Sequence, residues 1–161
     1  MGIVVTVADY RDQKQGQDIV FLLDYYASTP SGGGQGLAPS VKENVVRELS
    51  KLPYAFSLLC YVDDSPAGLL NCFHGFSTFQ CRPLLNIHDA VVYHKYRRQG
   101  ISQLLLGEAE RIARAKGACK ITLEVLEKNQ PAVSAYKKFG FAGYELDPEF
   151  GKALFLEKAL T

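Results

Sequence analysis

The fold is decided by the stretch Val91-Val92-Tyr93-His94-Lys95-Tyr96-Arg97-Arg98-Gln99-Gly100-Ile101-Ser102, in which an apolar strand runs directly into an amphipathic helix. A helix N-terminus offers backbone N–H groups that have no intrahelical partner, together with a partial positive charge. Gly100 lets the backbone approach a ligand closely, and Ser102 adds a small hydroxyl side chain. Arg97 and Arg98 add full positive charges. The stretch therefore predicts a site for a pyrophosphate group.

This pattern is weak when it stands alone, because an ordinary solvated helix start has a similar composition. The dinucleotide pattern G-x-G-x-x-G and the P-loop pattern G-x-x-x-x-G-K-S/T are both absent from the sequence. A second glycine-rich run at residues 32–36 has neither strand-to-helix context, so it predicts a flexible loop. Whether the stretch binds a ligand therefore depends on the rest of the chain.

Hydrophobic periodicity divides the remaining chain into strands and helices. Alternating or continuous apolar runs predict strands at residues 2–8, 56–62, 67–76, 84–92, 119–126, 141–146 and 153–160. Apolar residues three and four apart predict helices at residues 18–28, 39 or 40 to 52, 101–116 and 131–139. Asp18 is predicted as the N-cap of the first helix, and Ser40 with Glu43 resembles a capping box for the second.

The order of these elements predicts a mixed α/β fold. Short turns join the early strands, which should pair antiparallel, and a helix joins residues 84–92 to residues 119–126, which should pair parallel with a right-handed crossover. Helices should cover both faces of a sheet of six to seven strands. A chain of 161 residues suits a single domain.

Composition excludes several functional classes. Lysine plus arginine total 18 and aspartate plus glutamate total 17, so no overall charge favours nucleic acid or a membrane surface. The four cysteines contain no C-x-x-C pair and, with three histidines, form no clustered metal pattern. They predict buried free thiols in a reducing compartment, the cytoplasm, and no metal cofactor.

Two spaced patterns resemble the signatures of the GNAT acetyltransferase superfamily. Arg97-x-x-Gly100-x-Ser102 resembles the pattern R/Q-x-x-G-x-G/A, although serine replaces the usual small glycine or alanine at its end. Residues 123–141 resemble the second pattern, L-x-V-x-x-x-N-x-x-A-x-x-x-Y-x-x-x-G-F. The resemblance implies a single acetyltransferase domain over residues 1–161, with acetyl-CoA as co-substrate and direct transfer of acetyl to a primary amine. It also implies a homodimer, because the family often dimerises.

The resemblance also implies how the co-substrate is bound. In this family the strands that correspond to residues 84–92 and 119–126 splay apart, and the pantetheine arm lies between them against backbone groups of Val91 and Val92. A backbone N–H there would bind the oxyanion. Asn129 would hold the pantetheine or diphosphate region, while the residues alone equally predict a helix N-cap. The diphosphate would be bound by the charge of Arg97 or Arg98 and by the main chain of Arg98, Gln99, Gly100, Ile101 and Ser102.

Catalytic roles follow from the same resemblance. Tyr136 would donate a proton to the departing thiolate. Asp89 is the first candidate for the general base, ahead of His88 and then Glu124, with a water chain as a further alternative. Strict alternation places Asp89 on the face of Ile87 and Val91 and places His88 on the opposite face. Side chains predicted to line the acceptor pocket are Tyr25, Tyr26, Asn71, His74 and Phe76.

Rival interpretations are kept open. The chain could be a non-catalytic acyl-CoA-binding sensor of the same fold, a plain nucleotide-binding α/β module, or a transferase of longer acyl groups. Each polar candidate could be a satisfied structural group. The acceptor is either a small-molecule amine or a protein amino group.

Overall fold

A computed structural model describes residues 2–144 and 146–160 and contains a five-stranded mixed sheet. The strands are Ile3–Val7 (β1), Ala55–Val62 (β2), Ser65–Ser77 (β3), Arg82–Val92 (β4) and Ile121–Leu123 (β5), adjacent in that order. The first three pairings are antiparallel and the β4–β5 pairing is parallel. The predicted mixed α/β fold is confirmed.

Four α-helices cover both faces of the sheet, as predicted. They are Gln13–Ser28 (α1), Pro39–Ser50 (α2), Ile101–Ala115 (α3) and Gln130–Phe139 (α4). Apolar residues of α1, led by the fully buried Ile19 and Leu22, pack on one face, and Leu105 and Ala109 of α3 pack on the other. In the described part of the chain, no helix is both long enough and apolar enough to cross a membrane.

The starts of the first two helices differ from the prediction. The N-cap of α1 is Asp12, whose side chain accepts a backbone N–H of the first turn, so the helix begins before Asp18. Asp18 instead lies inside the helix, where its buried carboxylate accepts the Tyr61 hydroxyl at 2.6 Å. In α2, Pro39 occupies the first turn and Ser40 caps nothing, because proline fixes the helical φ without a capping side chain.

The C-terminal third has fewer strands than predicted. β5 covers only Ile121–Leu123, and no strand forms within residues 141–144 or 146–160, so the sheet has five strands instead of six to seven. Glu145, inside one predicted strand, lies outside the described residues. Leu154, Phe155 and Leu156 are 83%, 76% and 84% exposed, so no neighbouring strand or helix covers this apolar run.

Candidate active site

A gap opens between β4 and β5 at the level of Ile87. The parallel ladder ends with the pair Ile87–Leu123, but β4 continues for five more residues to Val92. The N–H of Tyr93 donates to the carbonyl of Ala67 on the β3 side at 2.8 Å. Because successive backbone groups of a strand point to opposite edges, the N–H of Val92 points into the gap. The gap therefore offers backbone hydrogen-bonding groups to an extended ligand.

The loop after β4 ends at the N-terminus of α3. It contains a short 3-10 turn, His94–Tyr96, and two residues in the left-handed region, Arg98 with φ 63° and Gly100 with φ 77°. The left-handed conformation costs a non-glycine residue about 1 kcal/mol. Gly100 is the N-cap of α3 and contributes no side chain, so the first N–H groups of the helix remain available. Such a loop suits an anion.

Arg97 ties this loop to α1. Its guanidinium donates to the hydroxyl of Tyr25 at 3.1 Å. The Tyr25 ring in turn packs edge-on against Tyr93, with centroids 4.8 Å apart. Tyr25, predicted to line the acceptor pocket, therefore contacts the loop that leads to α3.

β4 has a bulge at His88, and the bulge changes which side chains share a face. Asp89 lies opposite Asn71, whereas the next pair along β3 already involves Ile87, so His88 is the extra residue. Ile87 is consequently buried on the α3 side and Val91 on the α1 side. The prediction that Asp89 shares a face with both is wrong, since strict alternation ignores the bulge. His88 and Asp89 instead line the same cavity.

A chain of hydrogen bonds orients the Asp89 carboxylate. Tyr10 donates to Ser57 at 2.8 Å, Ser57 donates to the Asn71 carbonyl oxygen at 2.6 Å, and the Asn71 amide donates to Asp89 Oδ2 at 3.0 Å. His88 Nδ1 lies 3.3 Å from the second carboxylate oxygen. Ser57 and Asn71 are buried, so this chain holds the carboxylate in one direction.

The carboxylate faces a cavity of about 370 Å³ between the sheet and the first two helices. Tyr26 and Asn71 line it, as predicted, and Phe73 also lines it. His74 does not, because its side chain lies on the opposite face of β3 from Asn71 and Phe73, where its ring packs against Phe56 with centroids 5.2 Å apart. Phe76, 58% exposed near the end of β3, does not line it either.

Tyr26, which lines this cavity, is influenced by the charges of Asp89 and Glu124. Burial raises the pKa of Tyr26, and the nearby carboxylates of Asp89 and Glu124 raise it further. Burial also raises the pKa of Tyr136, on α4, to about 12, with a smaller contribution from Tyr26. The Tyr26 hydroxyl therefore interacts electrostatically with Asp89, Glu124 and Tyr136. Tyr136 keeps its proton at neutral pH. Glu124 itself is exposed just beyond β5.

Asn129 is the N-cap of α4, as one of its two predicted roles required. Its Oδ1 accepts the N–H of Ala132 at 3.4 Å. Its Nδ2 donates to Ser31 at 3.0 Å, in the turn that follows α1. Both ends of the side chain are thus engaged, and Asn129 joins α4 to the turn beside the cavity.

Gly32 is required by a close backbone approach in that turn. A Cβ at this position would lie 2.1 Å from the backbone oxygen of Tyr26 and 2.8 Å from Ala27 Cα. The Gly32→Ala substitution should lower the free energy of unfolding by about 3 kcal/mol, the upper range for overpacking. Gly107→Ala is the control: it lies inside α3 with nothing within 4 Å, and should raise that free energy by about 1 kcal/mol. Urea unfolding measures both, and equal effects would contradict the close approach.

All four cysteines are free thiols, and the two inside the sheet, Cys60 and Cys72, are poor nucleophiles. Burial raises the pKa of the Cys60 thiol to about 11 and that of Cys72 to about 12, so both stay protonated at neutral pH. Cys81 is exposed and Cys119 half-buried. Within residues 2–144 and 146–160, no group of three or more His, Cys, Asp or Glu side chains is arranged to hold a metal ion.

Comparison with known sequences adds named relatives. A streptothricin acetyltransferase of Streptomyces lavendulae is 41% identical over 63 residues, covering 39% of this chain and 33% of that protein. A Bacillus subtilis (strain 168) protein, whose name proposes ribosomal protein bS18-alanine N-acetyltransferase activity, is 30% identical over 103 residues, covering 64% of each chain. The chain therefore aligns with less than two thirds of the length of either curated relative.

Comparison with solved structures identifies the same architecture. An aminoglycoside acetyltransferase from an uncultured soil metagenomic sample superposes with a TM-score of 0.79 at 14% identity, covering 99% of this chain and 97% of that one. A ribosomal-protein-alanine N-acetyltransferase from Brucella melitensis biovar Abortus 2308 gives a TM-score of 0.75 at 16% identity, covering 91% and 96%. At these identities the likeness concerns the fold.

The family model described as Acetyltransferase (GNAT) family matches residues 20–141, which include β4, the loop to α3, β5 and α4. The match covers most of the chain and the whole of the site around the gap. The chain belongs to the GNAT acetyltransferase family.

Proposed function

We propose that the protein is an N-acetyltransferase that moves acetyl from acetyl-CoA directly to a primary amine. One observation carries the proposal: the gap beside Val92 leads from the N-terminus of α3 to the cavity that contains Asp89. The GNAT match supports the reaction class, the relatives named above are acetyltransferases by name, and the name of the Bacillus subtilis relative specifies N-acetylation. The alternative function, an acyl-CoA sensor, would not require an oriented carboxylate in the cavity beside the gap.

The residues around the gap fit acetyl-CoA. Gly100 has open space where a side chain would stand, and Arg97 and Arg98 add positive charge beside the free N–H groups of α3. The N–H of Val92 points into the gap, whereas that of Val91 points to β3, as that of Tyr93 does, so the implied backbone contact falls to Val92. Gln99 directly precedes the N-cap, and Ile101 and Ser102 form the first turn of α3. When bound, acetyl-CoA supplies an activated thioester carbonyl. The N–H of Val92, which points into the gap, would stabilise the charge that develops on the oxygen of that carbonyl.

Asp89 is the proposed general base. An ammonium group must lose a proton before it can attack, and a carboxylate held by Asn71 in a fixed direction can accept that proton, directly or through one water. His88, on the other carboxylate oxygen, would stabilise its orientation. Glu124 is the remaining alternative, since it follows β5 across the gap and its charge, like that of Asp89, raises the pKa of Tyr26.

Tyr136 is the proposed general acid for the departing thiolate. The Tyr136→Phe variant should lower kcat about 100-fold with little change in KM, because the hydroxyl acts in the transition state. The pKa of Tyr136 is raised to about 12 from an ordinary 10.0, so the phenol stays protonated. As the pH rises from 7 to about 10, wild-type kcat should therefore not fall through loss of this proton. Tyr144→Phe, at an exposed tyrosine, is the control. An unchanged kcat in Tyr136→Phe would remove this role.

The decisive experiment for the function is a thiol-release assay with acetyl-CoA and a panel of primary amines, followed by mass spectrometry of the amine products. Thiol release that depends on the amine, with a matching acetylated product, supports direct transfer. Binding of acetyl-CoA without release for any amine would favour the sensor instead.

We further propose that the protein works in the cytoplasm as a homodimer. Four unpaired cysteines suit a reducing compartment. The exposed apolar side chains of Leu154, Phe155 and Leu156 suit burial against a second copy. Light scattering coupled to gel filtration tests the dimer, and a monomer at high micromolar concentration would contradict it.

A further inference from the structure

The cavity beside Asp89 has a sharply divided lining. Its polar groups gather at the sheet, where Asp89, Asn71 and His88 lie together. Helices α1 and α2, the connection between them and β3 supply mostly hydrocarbon side chains: Leu23, Ala27, Leu37, Val45, Leu49 and Phe73. Gly32 and Tyr26 complete the lining, and Tyr26 adds one hydroxyl. A ligand that fills this cavity therefore meets charge at the sheet and mainly apolar surface elsewhere.

The lining of the cavity carries one negative charge, the carboxylate of Asp89. Among the described residues that line it, Asp89 alone carries a carboxylate. The nearest carboxylate on α1, Asp24, is already engaged, because it accepts the N–H of Leu37 at 2.8 Å and lies 3.4 Å from the ammonium of Lys42. These contacts also hold the Leu37 side chain over the cavity. Glu124, which raises the pKa of Tyr26, does not itself line the cavity. One ammonium group can therefore be paired by Asp89 inside, and a second on the side of α2 would lie against apolar side chains.

The size of the cavity points the same way. About 370 Å³ lies at the small end of the range for ligand pockets. Tyr26 and Phe73 place two aromatic rings in its lining, and aromatic rings favour flat apolar groups. A compact molecule with one amine and an apolar body fits, whereas several charged sugar rings do not.

We propose that the acceptor is a small primary monoamine on an uncharged apolar body, preferably an aryl group. This inference rests on the proposed acetyl transfer. The amine lies at Asp89, and the aryl group lies between Phe73 and the apolar side chains of α1 and α2. The proposal gives this chain a different acceptor from the relatives named for streptothricin or aminoglycosides.

The test is a comparison of four amines at saturating acetyl-CoA. We expect kcat/KM for 2-phenylethylamine to exceed that for spermidine and for kanamycin by about 100-fold, and to exceed that for a peptide with N-terminal alanine. Higher kcat/KM for spermidine, kanamycin or the peptide would overturn the inferred class and leave the acetyltransferase function standing. Acetyl-CoA binding without transfer to any of the four would overturn the proposed function itself, together with the inference.

A variant pair gives an independent readout. Val45→Asp adds a second carboxylate to the half-buried lining and should shift the ratio of kcat/KM from 2-phenylethylamine towards spermidine by about tenfold or more. Val41→Asp, one turn earlier on α2 and 39% exposed, does not line the cavity and should leave the ratio unchanged. Equal ratios in the two variants would contradict the assignment of this cavity. Thermal unfolding checks that both variants fold. If Val45→Asp does not fold, the comparison of the four amines on the wild-type protein decides the substrate class.

Discussion

Replacing Asp89 by asparagine should lower kcat/KM for the amine about 1,000-fold and leave the Kd for acetyl-CoA nearly unchanged. Asparagine keeps the size of the side chain and can still bond to Asn71, but it cannot accept a proton from an ammonium group. The carboxylate lies in the acceptor cavity, away from the loop that leads to α3, so co-substrate binding should not depend on it. Steady-state kinetics and calorimetry on the same preparation separate the two effects.

Three comparisons make this result specific. Asp64→Asn removes an equivalent charge in the exposed β2–β3 turn and should change nothing. The His88→Ala substitution should lower kcat/KM far less than Asp89→Asn does, because His88 only contacts the carboxylate. A greater loss in Glu124→Gln than in Asp89→Asn would identify Glu124 as the base. A loss of less than about fivefold in every variant would assign the proton to water.

Replacing Gly100 by glutamate should raise the Kd for acetyl-CoA about 100-fold, equivalent to about 2.7 kcal/mol. The backbone there has φ 77°, a conformation that strains any side chain, and a carboxylate at the start of α3 would repel the diphosphate. Space is not the limit, because nothing lies within 4 Å of the added Cβ. Isothermal titration of both proteins with acetyl-CoA measures the change.

Two further variants separate strain from charge. Gly100→Ala keeps the strain without the charge and should weaken binding only a few-fold, because the left-handed region costs about 1 kcal/mol. Gly107→Glu places the same carboxylate on the exposed side of the same helix, where it should leave the Kd unchanged. If Gly100→Glu binds acetyl-CoA as tightly as wild type, the diphosphate does not lie at this helix start.

Much of the fold was predictable because its central unit is local in sequence. An apolar strand, a basic glycine loop and an amphipathic helix follow one another from β4 through α3, and each leaves a clear periodic pattern. Gly117 and Gly140, which follow α3 and α4, both adopt the positive φ that is typical of helix ends. Strand pairing then followed from the lengths of the connections.

The errors lie where a pattern has two interpretations. Asp18 resembles an N-cap, yet it lies inside α1, where its carboxylate accepts hydrogen bonds from Lys14 and Tyr61. The residue that caps the helix is Asp12, six positions earlier. An apolar run also begins residues 153–160, but a strand needs a partner, and sequence alone does not say whether one is adjacent.

The acceptor side of the site was the least predictable part. His88 and Asp89 share a cavity only because β4 inserts one residue against β3, and no single-sequence pattern marks a bulge there. The chain from Tyr10 through Ser57 to Asn71 joins three elements that are far apart in sequence. Polar residues inside otherwise apolar strands were the available signal, since a buried amide or hydroxyl requires a partner.

The most direct test of the account is isothermal titration of the purified protein with acetyl-CoA, with ATP and NAD as controls. The account predicts saturable binding of acetyl-CoA with one site per chain, no comparable binding of ATP or NAD, and loss of the signal in Gly100→Glu. Equal binding of ATP or NAD would favour a general phosphate-binding module. No binding of acetyl-CoA would contradict the transferase function and leave only the fold.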